Sequence, residues 1–270
     1  MEELAEIWTL LEPLRPRDGP FVVGVTGAVA VGKSTFAAGF RDWLVGAAMR
    51  TELVCTDGFL IDNAELDRRG LALRKGFPET YDAAALASAL TGIRRGPTVF
   101  PGYSHLTYDI DPALGRRIEP PQVLIIEGLG LNGTRAAAPP LIDALVYLHA
   151  DEAALEAWFV DRFVDFWRAG ANDPSSFYAR FAPFSEAEAR GFATQVWRGI
   201  NLPNLRQHIS LARAEADIVI EKAADHVIGA ILTGPGGSAT RRSLQPERRP
   251  PARSAPTARP RAPDRGRAPA

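Results

Sequence analysis

Cysteine is almost absent from this chain: Cys55 stands alone among 270 residues. A single thiol excludes an intramolecular disulfide, and without a second cysteine a Cys-based zinc cluster is excluded too. Long apolar runs are also missing, since no stretch approaches the roughly 18 residues of a membrane span. The start, Met1-Glu2-Glu3, carries neither a basic region nor the apolar segment of a secretory leader. These absences predict a cytoplasmic protein without a membrane partner. Lysine occurs only at Lys33, Lys75 and Lys222. Positive charge is concentrated instead in arginine at the end of the chain, where the last thirty residues hold nine Arg against Glu247 and Asp264. That segment carries about +7, so with a total of -1 the remaining 240 residues carry about -8. A nucleic-acid partner for the folded part is therefore not expected.

What is present is ordinary globular material, 46% hydrophobic and 23% charged, enough for one sizeable core. Residues 2–14 place Leu4, Ile7, Trp8, Leu11 and Leu14 at helical spacing, which makes 1–18 an N-terminal docking helix. Strands are predicted at Phe21–Thr26, Glu52–Thr56, Val123–Ile126, Leu145–Leu148 and Ile218–Ile220, with helical segments between most of them. That alternation predicts an α/β fold, a mostly parallel sheet flanked by helices in one domain over 19–232. From 233 to 270 the chain turns to Gly, Pro, Ser, Ala and Arg without periodicity and is expected to be disordered.

The most specific motif is Gly27-Ala28-Val29-Ala30-Val31-Gly32-Lys33-Ser34, a match to G-x-x-x-x-G-K-[ST] between a strand and a helix. In such a P-loop, glycines let backbone N–H groups close on phosphates and the helix N-terminus adds its dipole. Lys33 is expected to reach the β and γ phosphates, Ser34 to hold Mg2+, and Thr35 to complete the nucleotide-binding turn. The motif alone does not separate a kinase from another nucleotide-binding protein. A dedicated GTPase is disfavoured, because no lysine lies in an Asn-Lys-x-Asp element.

Ligands of open α/β sheets gather at the carboxyl ends of strands, which draws attention to Asp57 and Glu127. Asp57 can orient and deprotonate an attacking hydroxyl, although Asp before Gly58 also suits a turn. Glu127 is suited to a metal shell, or to a solvated position just outside the sheet. Arg162 falls among Leu155, Phe159, Phe163 and Phe166 on one helical face and is expected to need a partner. Ser185 and Glu188 form a capping box opening a further helix.

Thr56-Asp57-Gly58-Phe59-Leu60, Lys75 to Asp82, Tyr103 to Asp109, Ile126 to Leu129, Trp158 to Phe163 and Trp197 to Asn201 follow the P-loop in order. Together, over about residues 20–228, they resemble the bacterial type I pantothenate kinases, members of the phosphoribulokinase and uridine kinase superfamily. The resemblance implies ATP-dependent phosphorylation of pantothenate, with Asp57, Lys33 and Arg162 catalytic. It implies ATP and Mg2+ as cofactors, Glu127 in the metal shell, and Lys222 and His226 near the adenine. It assigns Tyr103, His105, Tyr108 and Asn201 to the acceptor, and carries with it a homodimer and coenzyme A as feedback inhibitor. Two positions depart from the pattern: Phe159 replaces a tyrosine, and Gly130 stands where asparagine is usual. The alternatives are another small-molecule kinase of the uridine kinase or phosphoribulokinase type, or a non-catalytic nucleotide-binding regulator.

Overall fold

A parallel strand covered on both faces has no reason to alternate polar and apolar residues, and the two most continuous apolar runs of this chain occupy such positions. The computed structural model describes residues 2–234 and 240–243. Its strands are β1 (Phe21–Gly27), β2 (Thr51–Cys55), β3 (Thr98–Phe100), β4 (Tyr103–Ser104), β5 (Asp109–Ile110), β6 (Arg116–Ile118), β7 (Val123–Glu127), β8 (Ala144–His149), β9 (Ile218–Lys222), β10 (Ile228–Thr233) and β11 (Thr240–Ser243). The helices are α1 (Glu2–Leu11), α2 (Lys33–Gly46), α3 (Asn63–Arg68), α4 (Ala83–Gly92), α5 (Glu152–Gly170), α6 (Glu186–Val196), α7 (Leu202–Gln207) and α8 (Ala212–Glu215).

The main sheet has seven strands in the order β11-β10-β9-β8-β1-β7-β2. The five strands from β2 to β9 run parallel, and β10 and β11 add antiparallel at one edge. Strands β1 and β7 are buried along their whole length and pair in register from Phe21 with Val123 to Val25 with Glu127. Because β7 and β8 flank β1 on opposite sides, the connections diverge there, and a crevice opens at the carboxyl end of β1. The P-loop leaves β1 at that point. Helix α1 packs on the sheet as its periodicity predicts, with Trp8 edge-on to Phe21 at 6.1 Å and tilted against Phe40 at 6.5 Å.

A second, smaller set of buried side chains, Val160, Phe163, Tyr178, Phe181, Ala189 and Ala193, lies between α5 and α6. Phe159 packs against both this cluster and the core around the sheet.

The expected α/β class and parallel sheet are present, with strand ends shifted by no more than two residues, whereas the N-terminal helix expected over 1–18 is shorter: Glu2–Leu11, then a 3-10 turn to Leu14 where Pro13 interrupts it. Tyr103 to Asp109 lies on a short antiparallel hairpin of β4 and β5. One further feature differs from the sequence reading. Thr240–Ser243, inside the stretch expected to be disordered, forms β11 and pairs with β10 from Ala230–Ser243 to Thr233–Thr240. An edge strand draws most of its stabilisation from main-chain pairing, which composition does not reveal. The rest of the expected disordered segment lies outside the described residues. Among the described residues no helix is long and apolar enough to cross a membrane.

Candidate active site

The P-loop is held open by backbone shape. Gly32 caps α2 in the left-handed region at φ 90, and a β-carbon there would stand 2.8 Å from Lys222 Nζ. Only glycine fits without strain. Ala30 also adopts positive φ, at 66, a cost that non-glycine residues bear mainly at functional turns. Lys33 Nζ donates to the carbonyls of Gly27 at 3.2 Å and Ala28 at 2.9 Å, so the ammonium lies over the loop. Burial depresses its pKa below the ordinary lysine value, Glu127 and Asp57 pull it back up, and Arg162 pushes it further down. Lys33 thus has two carboxylates and a second cation in its field.

Glu127 ends β7 and is buried. It accepts a hydrogen bond from Ser34 Oγ at 2.9 Å. The turn after it depends on Gly128 at φ 140, where any β-carbon would run into the Thr56 hydroxyl. That close approach ties the end of β7 to the 3-10 turn Thr56–Phe59, which carries Asp57. In the ladder Cys55 of β2 stands opposite Glu127, so the two acidic residues leave neighbouring strands side by side. Burial, with Asp57 and Glu127 adding to it, raises the Cys55 thiol well above its ordinary pKa and keeps it protonated.

A cleft of about 300 Å³ opens from the P-loop between these strand ends and the α5–α6 pair. Val29, Ala30, Lys33, Ser34, Asp57 and Glu127 line its floor. Tyr103, His105, Tyr108, Arg162 and Asn201 line its walls, so the residues singled out for phosphoryl transfer and for the acceptor border a single space. Tyr103 meets the rings of His105 and Tyr108 edge-on at 5.2 and 6.0 Å. Burial raises the Tyr103 and Tyr108 phenols, with Asp57 contributing to both, so both stay neutral donors.

Asn201 reaches the cleft through a π-helical turn, Trp197–Asn201, between α6 and α7. The Leu202 N–H donates to the Trp197 carbonyl, a five-residue closure that turns Asn201 toward the side already faced by Val196.

Other expected residues stand elsewhere. Gly27, Ala28, Val31 and Gly32 shape the loop without lining the cleft, and Thr35 is exposed outside it. Lys222 approaches the loop from behind, its Nζ donating to the Val31 carbonyl at 2.9 Å and lying 5.4 Å from the Trp158 ring. His226 stacks on Trp158 at 4.0 Å, so the two residues flank one side of the P-loop, away from the acceptor walls. Arg162 reaches the cleft from α5. Its guanidinium is exposed in the cleft over Phe166 at 5.2 Å, with no ion pair among the described residues. The α5 face turns toward the cleft at that point, and solvent solvates the charge. Phe159 lines the cleft against Trp197 at 5.8 Å. Gly130, at φ 75, lies beneath the Tyr81 ring outside it.

Lys75 is the site residue that the sequence reading passed over. It lines the cleft, and its Nζ donates to Asn63 Oδ1 and to the Tyr108 carbonyl, each at 2.6 Å. The same ammonium lies 5.1 Å from both the Tyr103 and Tyr108 rings. Its scarcity in a chain of three lysines was the available signal. The aromatic wall of Phe163, Phe177, Tyr178, Phe181 and Phe192 was equally hidden, because three separate elements, α5, the turn Phe177–Phe181 and α6, have to fold together to form it.

ATP and a metal ion fit what is present. The left-handed Gly32 leaves room where a side chain would block the loop, and Ser34 with Glu127 offers two oxygen ligands. Among the described residues no three metal-binding side chains gather. Magnesium bound to phosphates characteristically takes only one or two protein ligands.

The model of the phosphoribulokinase / uridine kinase family matches residues 22–163. A curated pantothenate kinase of Leifsonia xyli subsp. xyli is 44% identical over 227 residues, covering 81% of this chain and 70% of that protein. The pantothenate kinase of Sorangium cellulosum is 43% identical and covers 78% and 72%. Among solved structures, one described as a fructose transport system kinase of Silicibacter sp. TM1040 aligns with a TM-score of 0.61 at 26% identity, over 75% of this chain and 92% of that one. D-glycerate 3-kinase from Cryptococcus neoformans var. grubii aligns at 0.58 and 14% identity over 86% and 99%, a likeness of fold. A nucleotide cradle at the switch point, acid-bearing strand ends beside it and this run of relatives lead to one conclusion: the chain belongs to the phosphoribulokinase/uridine kinase family and, within it, stands with the pantothenate kinases.

Proposed function

We propose that the chain transfers the γ-phosphoryl group of ATP to the primary hydroxyl of pantothenate, giving 4'-phosphopantothenate and ADP and thereby opening coenzyme A synthesis. The observation that carries this reading is the shared cleft. Asp57, Lys33 and Arg162 border the same 300 Å³ as Tyr103, His105, Tyr108 and Asn201. A donor phosphate and a small polyhydroxy acid can meet there.

Mg-ATP, when bound, supplies an electrophilic phosphorus and a leaving group of low basicity. Ser34 and Glu127 would hold the metal, and the Gly27 to Ser34 backbone the phosphates. Lys222 and His226 would stand beside the base. Asp57 accepts the proton of the acceptor hydroxyl as its oxygen bonds to phosphorus and the bond to the bridging oxygen breaks. Lys33 and Arg162 bring positive charge to the same space, and charge spread over the transferring group is what such cations stabilise. Tyr103, His105, Tyr108 and Asn201 present phenol, imidazole and amide groups suited to hydroxyl, amide and carboxylate functions. By its likeness to the pantothenate kinases the protein is further proposed to be a cytoplasmic homodimer inhibited by coenzyme A.

The test is purified protein with Mg-ATP and, separately, pantothenate, uridine, ribulose 5-phosphate and glycerate. ADP release and phosphorylated product are expected with pantothenate. Turnover of another acceptor in its place would reject the acceptor assignment, and ATP binding without turnover of any acceptor would favour a regulator.

A further inference from the structure

A second cavity, of about 270 Å³, lies behind the P-loop. It opens between the carboxyl end of β8 and the segment from α7 to α8, and it shares no lining residue with the cleft just described. Ala28, Leu148, Leu155 and Leu205 give it apolar walls. Tyr147, His149 and Arg213 gather at its polar end.

Those three groups are short of partners. Among the described residues the Tyr147 hydroxyl and the His149 ring make no hydrogen bond, although Tyr147 is buried and His149 is half-buried. The Tyr147 ring is buried, but its hydroxyl is reached from the cavity and is free to donate there. The Arg213 guanidinium has only a loose contact with Glu221 at 3.7 Å, and Glu221 is engaged elsewhere as well. The other ions on the wall neutralise each other, because Arg206 grips Glu152 through two hydrogen bonds of 2.9 and 2.6 Å.

The charge states add to this picture. Burial pushes the Tyr147 phenol up to about 12, against the pull of Arg213, so it remains a donor. Burial and Arg213 lower the His149 imidazole, with Glu221 and Asp151 opposing, so it is neutral at neutral pH and offers one N–H. Neither Glu221 nor Asp151 lines the cavity. A phenol O–H, an imidazole N–H and a guanidinium therefore converge on one end of a space that is apolar elsewhere. Donors in excess of acceptors select an acceptor-rich ligand, and the cation selects a negative one.

We propose that this cavity is a second ligand site, which takes a compact organic monoanion with its carboxylate or phosphate toward Tyr147, His149 and Arg213 and its apolar body against Leu148, Leu155 and Leu205. The site is independent of the proposed acceptor and needs no turnover to be tested.

The chain has four histidines, so imidazole resonances of isotope-labelled full-length protein are few, and His149→Gln assigns the one of interest. Benzoate and phenyl phosphate serve as probes, with benzyl alcohol as the uncharged control. A saturable shift of the His149 resonance is expected with at least one anion and none with the alcohol. Arg213→Gln should weaken the response at least about tenfold, as loss of a charge-assisted hydrogen bond does. Tyr147→Phe, which removes one oxygen and keeps the ring, should weaken it too, and it serves if Arg213→Gln does not fold. No shift with either anion, an equal shift with benzyl alcohol, or an undiminished response in both folded variants would overturn the site and leave a solvent-filled cavity.

Discussion

Asp57 owes its position to a single glycine contact and a ladder pair. Gly128 lets the end of β7 lie against Thr56, and the Cys55–Glu127 register sets the two acids side by side at the P-loop. In Asp57→Asn the isosteric amide keeps the turn but cannot take a proton. Turnover should fall by about a hundredfold or more while ATP affinity stays close to that of the parent, as general-base losses do. Steady-state rates paired with nucleotide titration check this, and unchanged turnover would remove Asp57 from the chemistry. A second residue-scale expectation concerns acid. The half-buried His149 has its imidazole lowered from the ordinary 6.5, by burial first and Arg213 second, so the unfolded chain binds a proton that the fold resists. Stability is then fully present above pH 6.5 and declines as pH falls below it toward the lowered folded value. Thermal melts between pH 7 and 5.5 should show a falling midpoint, and His149→Gln should flatten part of that slope.

At the scale of elements, helix α1 gives the sharpest expectation. Trp8 is buried between Phe21 of β1 and Phe40 of α2, so Trp8→Ala removes the joint that seats the helix. Chemical unfolding should report a loss of about 3–5 kcal/mol, the range for deleting a large buried aromatic side chain. A loss under about 1 kcal/mol would make α1 a peripheral appendage. Elements with a strong local signature were readable from the sequence. Val123 to Ile126 is an unbroken apolar run, and Ser185 with Glu188 does form the reciprocal cap that opens α6. An element defined by pairing alone was not, and β11 is the case in point. The π-turn that presents Asn201 leaves no periodic trace either, since one altered hydrogen-bond closure does not change which residues are apolar. Likewise Lys33, Ser34 and Asp57 were legible from a motif and a strand end, whereas Lys75 and the aromatic wall exist as a site only after α3, α5 and α6 have been brought together.

For the whole molecule, the expected unstructured end begins too early. A chain ending at Ser243 retains β11, and one ending at Gly234 exposes the edge of β10. The shorter form should melt lower by a few °C, since about 1 kcal/mol corresponds to roughly 2–4 °C in a domain of this size. Equal melting of both forms would make β11 irrelevant to stability. Activity toward the acceptor should survive in both, because no residue of β10 or β11 borders the cleft.

The molecule also has two interiors rather than one. The aromatic knot under α5 and α6 shares no buried member with the core around the sheet, and only Phe159 packs against both among the described residues. The single helix α5 joins them, giving Leu155 and Trp158 to the sheet core and Val160 and Phe163 to the knot, so a change of ring size at Phe159 should be felt on both sides of that helix.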